Sequence, residues 1–417
     1  MKNRINKSFS TLAFITFVIC LSFSLSSCHK DVTSSNQIGT TYASNYSQVF
    51  EDFWRDMNKT YVFWSVDPTN WDAVHDKYAP IFDSLNVNPG KTTDSVVAHY
   101  FKEIVDGLVD SHYNLSLITG YSISPSLDRK WTNPQFIGSL FKSNLHALYP
   151  DSINYYTAKV DSNYLKTKVI AYDTANAFYC ASGILKGTNT LYLSFSTFSL
   201  TYELKVDSQV IKTFKYFMDQ LVNPAITGLI IDVRGNGGGQ VSDLNYLIGS
   251  LISSPLKIGY TRSKNGSGRL DYTPWADAIV TPTTWGNDFT KPIVVLADGL
   301  SASMSELTAM ALKHFPTAKF VGDTTWGANG PLTQNSDFNA GSFSFGNIGT
   351  SISSATTYYY GSVYTSSTMF KYINGNVYEG KGFPPDYVVK VGPKDIYLAN
   401  NVLKDPQLEK AISLIPQ

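Results

Sequence analysis

Three serines on alternate positions, Ser301, Ser303 and Ser305, stand in GLSASMSELTAMAL, where an apolar run begins. A hydroxyl at the start of a helix lies beside unsatisfied main-chain N–H groups and the positive end of the helix dipole. That arrangement can cap the helix, or it can hold the oxyanion formed when a serine attacks a carbonyl. Two other stretches carry complementary chemistry. DVRGNGGG, residues 232–239, follows an apolar run and has glycines at 235, 237, 238 and 239. Glycine tolerates positive φ and lets main-chain amides approach a ligand closely. LVDSHYNL contains His112, preceded by Ser111. An imidazole titrates near neutrality and is the usual general base for a serine. Each stretch alone also has an ordinary structural reading: an N-cap, a tight turn, a structural histidine. The glycine spacing fits neither the dinucleotide fingerprint nor the Walker pattern.

The surrounding pattern indicates how such groups would be positioned. SQVFEDFWRDM sets Val49, Phe50, Phe53, Trp54 and Met57 on one helical face, and DSVVAHYFKEIVDGL does the same with Val97, Phe101, Ile104 and Leu108. These predict a small helical N-terminal domain over residues 45–115. Residues 116–188 are aromatic-rich, with short strand-like pieces and no strong period. From 189 to 395 strands and helices alternate, which predicts an α/β layered core. TLYLSF reads as a half-buried strand, and DSQVIKTFKYFMDQLVNP as a helix with a stripe of Val210, Phe214, Phe217, Met218 and Leu221, stopped by Pro224. GLIID, KPIVVLAD and AKFVGDT read as strands, and the segment from Ser303 as a helix. Residues 396–417 are a C-terminal tail or helix.

Lys plus Arg number 33 and Asp plus Glu 33, so no basic field points to nucleic acid. The first residues have a cationic start (Lys2, Arg4, Lys7), a short apolar stretch and small residues before Cys28. This resembles a bacterial lipoprotein signal over residues 1–27, with Leu25-Ser26-Ser27-Cys28 as lipobox. It implies lipidation of Cys28, a flexible tether over 28–44, and a chain held at the membrane in the cell envelope, outside the cytoplasm. The lack of an Asp directly after Cys28 points to the outer membrane. Cys20 falls in the signal, leaving Cys180 as a lone thiol that can make neither an internal disulfide nor a zinc site.

The ordered set D-x-H, DVRGNGGG, SASMSE, VGDTTWG and YEGKGFPPD resembles the S41-type serine peptidases, which include the C-terminal processing peptidases and tricorn-core-like enzymes. The resemblance extends over about residues 45–395. It implies a crotonase-like β-β-α core, a peptide or unfolded protein as substrate, and no metal or organic cofactor. Ser303 matches the nucleophile. Met304 and either Gly237 or Gly238 match the oxyanion donors. The processing branch takes its base from a lysine in the segment that here reads TTWGANG, where Ala328 stands at the lysine position. The tricorn-like branch uses a histidine supported by the serine before it and by a glutamate in the C-terminal motif. His112, Ser111 and Glu379 match those three roles. A PDZ module, common in the family, has no signature in 116–188. Two other readings are an inactive member that binds a peptide or hydrophobic ligand, and a crotonase-type enzyme acting on an acyl thioester.

Overall fold

The computed structural model describes residues 43–87, 93–125, 164–173, 178–206, 208–332, 341–351, 356–391, 398–399 and 402–416. The signal, Cys28, His146, the 126–163 part of the aromatic-rich region and nearly all of the tether lie outside them.

Helices α1 (Tyr46–Thr60), α2 (Trp71–Val87) and α3 (Asp94–Val105) open the described chain. Asn45 caps α1 by accepting from Gln48 N. Val49, Phe50, Phe53 and Met57 are buried, as the period required, and so are Val97, Phe101, Ile104 and Leu108. Their core is not closed by helices alone. It includes β1 (Asn114–Leu117) and β2 (Ser122–Ile123) and residues from the far end of the chain, Phe345, Tyr360, Val363 and Met369. The rings of Phe53 and Phe345 meet at a tilt, their centroids 5.1 Å apart. The helical segment and the C-terminal strands are therefore halves of one apolar cluster.

The main sheet begins earlier than the sequence pattern indicated. Strands β3 (Leu165–Asp173) and β4 (Phe178–Leu185) precede β5 (Thr190–Phe195). Then come α4 (Leu200–Val206), α5 (Ser208–Leu221), β6 (Gly228–Asp232) and α6 (Ser242–Gly249). β7 (Leu256–Ser263), β8 (Ala276–Val280), β9 (Ile293–Ala297), α7 (Met304–Leu312) and β10 (Lys319–Gly322) follow. The chain continues through β11 (Phe343–Ser351), β12 (Thr356–Tyr364), β13 (Thr368–Tyr372) and β14 (Tyr387–Val388). After β15 (Leu398–Ala399) and β16 (Val402–Leu403), helix α8 (Pro406–Ser413) ends the described chain.

Seven strands pair in the order β14-β10-β9-β6-β5-β4-β3. The run from β14 to β5 is parallel, and β4 and β3 are antiparallel additions. Both faces of a parallel sheet are covered, so its strands read as continuous apolar runs rather than alternations. This is why β5 is buried at all six positions, where alternation had suggested a half-buried strand; β4 beside it is likewise buried on both faces. Beside it lie a four-stranded sheet, β11-β12-β1-β2, and a three-stranded one, β13-β7-β8.

Arg234, buried at the end of β6, bridges Asp232 (2.7 Å) and Asp405 (2.9 Å) and donates to Gln407. A guanidinium this deep is tolerated because its donors meet carboxylates. The result ties α8 to the strand that carries the glycine turn.

Candidate active site

β9 and β6 are adjacent parallel strands, so the loops leaving their C-terminal ends lie side by side. Ser301 joins them: its Oγ donates to Val233 O (2.8 Å) and accepts from Asp298 N (2.9 Å). Asp298 Oδ1 accepts from Gly235 N at 3.0 Å. Ser305, in the first turn of α7, donates to Asn236 O at 2.7 Å, and Ala302 N reaches the same carbonyl at 3.1 Å. Ser301 and Ser305 thus fasten the serine turn to the glycine turn, and the serine between them is different.

Ser303 has φ 55° and ψ −117°, and it is the sole non-glycine residue with positive φ among the described residues. That conformation costs a residue with a Cβ on the order of 1–3 kcal/mol and persists only where surrounding contacts enforce it. The enforcement is visible. Ser303 N donates to Glu306 Oε2 (3.2 Å), and Gly238 lies so close that a Cβ there would meet Ser303 Cβ at 2.6 Å and Met304 N at 2.9 Å.

Of the two glycines matching an oxyanion donor, Gly238 already donates its N–H to Asn236 Oδ1 (2.9 Å). Among the described residues, the N–H groups of Gly237 and Met304 have no acceptor.

His112 lies in the turn after α3. Its main-chain N–H donates to Asp110 Oδ1 (2.9 Å), and its Nδ1 lies 3.5 Å from Ser366 Oγ, which donates to Asp110 Oδ1 at 2.9 Å. Asp110 Oδ2 accepts from Ser366 N (2.8 Å) and Thr365 Oγ1. Nε2 makes no hydrogen bond among the described residues, which leaves that nitrogen for a reacting proton. Burial holds the imidazole below its ordinary value, and the Asp110 carboxylate opposes this. A neutral ring at pH 7 is the form that can accept a proton.

Glu379 is buried. It accepts from the main-chain N–H of Ser111 (2.8 Å) with one oxygen and from Asn329 and Gly330 N–H (2.9 and 2.8 Å) with the other. It thus reaches the histidine turn through the main chain of Ser111. Burial pushes its carboxyl well above the usual range, reinforced by the nearby Asp110 charge. Asp110, His112 and Glu379 could each direct one ligand atom into a space 4.8 Å across. Their carboxylate oxygens already face N–H and O–H donors, as a support for an imidazole would.

Ala328 is buried, and its N–H donates to Glu306 Oε2 (2.6 Å). A methyl group cannot take a proton, so no lysine base comes from this position.

Sequence reasoning missed Asp110, Glu306, Asn236 and Ser366. Glu306 had a signal, since Ser303-x-x-Glu306 is the spacing of a capping box. Asp110 stood two residues before His112. Ser366 gave none, because its role depends on a turn joining β12 to β13. Other polar residues are structural. His75 and His99 pair with Glu51 and Glu103, Asp386 pairs with Lys313, and Cys180 is buried in the core.

Residues 189–389 match the model of Peptidase family S41, and residues 42–88 that of the Tricorn protease C1 domain. The carboxy-terminal processing protease CtpB of Bacillus subtilis is 26% identical over 208 residues, 49% of this chain and 35% of that protein. The tricorn protease of Thermoplasma volcanium is 25% identical over 203 residues, 48% of this chain and 16% of that protein. The chain therefore spans about a third or less of the length of these two relatives. A crystal structure of a candidate peptidase from Parabacteroides merdae superposes with a TM-score of 0.61 at 20% identity, over 89% of this chain and 96% of that one. The mixed α/β fold with its helical N-terminal region is that of the S41 peptidases, and residues 189–389 of the chain belong to peptidase family S41.

Proposed function

We propose that this protein is a serine peptidase that cleaves peptides or unfolded protein segments through an acyl-enzyme. The observation that carries the reading is the backbone of Ser303: strained, at the N-terminus of α7, packed against a glycine turn. A scaffold holds a serine in that conformation when the position of its hydroxyl matters.

In this reading His112 Nε2 takes the Ser303 proton as Oγ attacks the peptide carbonyl. The Gly237 and Met304 amides receive the oxyanion, since neither has an acceptor among the described residues, Met304 follows Ser303, and Gly237 precedes the Gly238 packed against it. The imidazolium then protonates the leaving amine, and water deprotonated by His112 releases the acid. Asp110, through Ser366, supports the imidazole from the Nδ1 side. Glu379 fixes the turn by its bond to Ser111 N. The similarity to CtpB and the tricorn protease, both named as proteases, supports peptide-bond hydrolysis.

The lipobox sequence supports a further part of the proposal, that Cys28 anchors the chain in the cell envelope. Radiolabelled palmitate incorporated by the wild type and lost in Cys28→Ser tests it.

For catalysis, the chain from residue 29 is incubated with an unfolded protein beside Ser303→Ala and His112→Ala. Cleavage by the wild type alone is expected. Equal cleavage by all three overturns the mechanism, and tight peptide binding without cleavage by any favours an inactive binding protein.

A further inference from the structure

Cations and aromatic rings alternate across β7, β13 and the loop before β8. Lys257 Nζ lies 4.1 Å from the Tyr260 ring centre. Lys371 reaches Tyr260 at 5.0 Å and Trp275 at 4.0 Å. Arg262 sits between Trp275 (4.4 Å) and Tyr272 (4.1 Å), and Lys264 lies 4.8 Å from Tyr272. Each such contact stabilises modestly, about 0.5–1 kcal/mol near a surface. That does not neutralise the charges.

Lys257 has a carboxylate partner, Asp277 at 2.6 Å. Among the described residues, Arg262, Lys264 and Lys371 have none within ion-pair distance. Lys264 spends its ammonium on two carbonyls, Gly268 O and Arg269 O. Arg262 donates from Nη2 to Ser65 Oγ and Met369 Sδ, and its Nε has no acceptor. Burial depresses the Arg262 guanidinium, so that charge is held at a cost, while Lys264 is fully buried and takes no part in the exposed surface. A carboxylate bound at this surface would relieve that cost.

The stack also lies near the reacting groups. Arg262 is the cross-strand partner of Met369, three residues beyond Ser366, whose hydroxyl faces His112. Three steps of at most ~3.6 Å plus one cross-strand spacing of ~5.5 Å put the Arg262 Cα within about 16 Å of the Ser366 Cα. An extended peptide spans that in about five residues.

We propose that this cation–aromatic stack binds an acidic stretch of the polypeptide substrate, to one side of the bond that is cut. The proposal rests on the peptidase reading for the nature of its ligand, and its test does not require turnover. Two fluorescein-labelled unfolded peptides, identical except for an Asp-Glu or an Asn-Gln pair, are titrated by anisotropy against the Ser303→Ala chain. The acidic peptide should bind about tenfold more tightly, the size of one partly screened charge-assisted contact, and more weakly as salt rises. Arg262→Gln and Lys371→Gln should each reduce that preference while still unfolding cooperatively on heating, and the double variant should abolish it. Equal affinity for the two peptides, or a preference that survives the double variant, overturns the proposal. Tighter binding of a sulfated polysaccharide than of the acidic peptide overturns the choice of ligand. Cleavage by the wild type without acidic preference sinks this surface alone. Acidic preference in binding without any cleavage sinks the peptidase reading instead.

Discussion

Glu306 and Glu379 hold consecutive amides of one loop: Gly327 and Ala328 donate to Glu306, and Asn329 and Gly330 to Glu379. Glu306 also holds Ser303 N, and Glu379 holds Ser111 N beside His112. The loop thus connects two segments separated by almost two hundred residues in sequence. Replacing either glutamate by Gln turns an acceptor into a donor facing N–H groups, at a cost of about 1–3 kcal/mol. Thermal unfolding should detect that loss. Burial raises both carboxyls, so the folded chain binds these protons more tightly than the unfolded chain. Their contribution to stability is full below the unfolded value and is lost as pH rises through the raised one. The loss on going from acidic to neutral pH should therefore shrink in Glu379→Gln.

Ser303→Gly should abolish hydrolysis and stabilise the fold by about 1 kcal/mol, because glycine occupies positive φ without strain. Ser303→Ala, which keeps a Cβ, should be equally inactive without that gain. Unfolding measurements on the two variants distinguish relief of strain from loss of the hydroxyl.

The glycine turn offers a paired comparison. At Gly238, φ is 98° and an added Cβ would meet Ser303 Cβ at 2.6 Å, whereas at Gly237 it would meet nothing within 4 Å. Gly238→Ala should lose most activity and destabilise by about 1–3 kcal/mol. Gly237→Ala should fold normally and keep its amide in place, with activity reduced far less.

Asp110→Asn should lower kcat by about a hundredfold or more if the carboxylate supports the imidazolium. It also makes a signed prediction. The Asp110 charge raises the His112 pKa against the lowering by burial, so its removal should shift the acidic limb of kcat/KM to lower pH. A limb that stays in place would show that another group sets it.

The long-range layout was readable because each segment carried its own signal: helical stripes at Val49–Met57 and Val97–Leu108, the buried runs at Gly228–Asp232 and Ile293–Ala297, and the serine and glycine turns after them. The outer strands were not: β4 is buried on both faces and loses the alternation that betrays a strand, and β3 exposes three residues in a row, Lys166, Thr167 and Lys168, which breaks it. At the site, residue type and motif singled out Ser303 and His112. The support for His112 was hidden for a different reason. Ser366 and Asp110 lie 256 positions apart, and only the pairing of β1 with β12 brings their turns together.

The most direct test of the account is the modification of Ser303 itself. A fluorophosphonate probe, which reacts with activated serine hydroxyls, is incubated with the wild type, His112→Ala and Asp110→Asn, and the labelled peptide is identified by mass spectrometry. The account predicts one label per chain, on Ser303, greatly slowed in His112→Ala and slowed in Asp110→Asn. Labelling of another residue, or of Ser303 at an unchanged rate without His112, would contradict it.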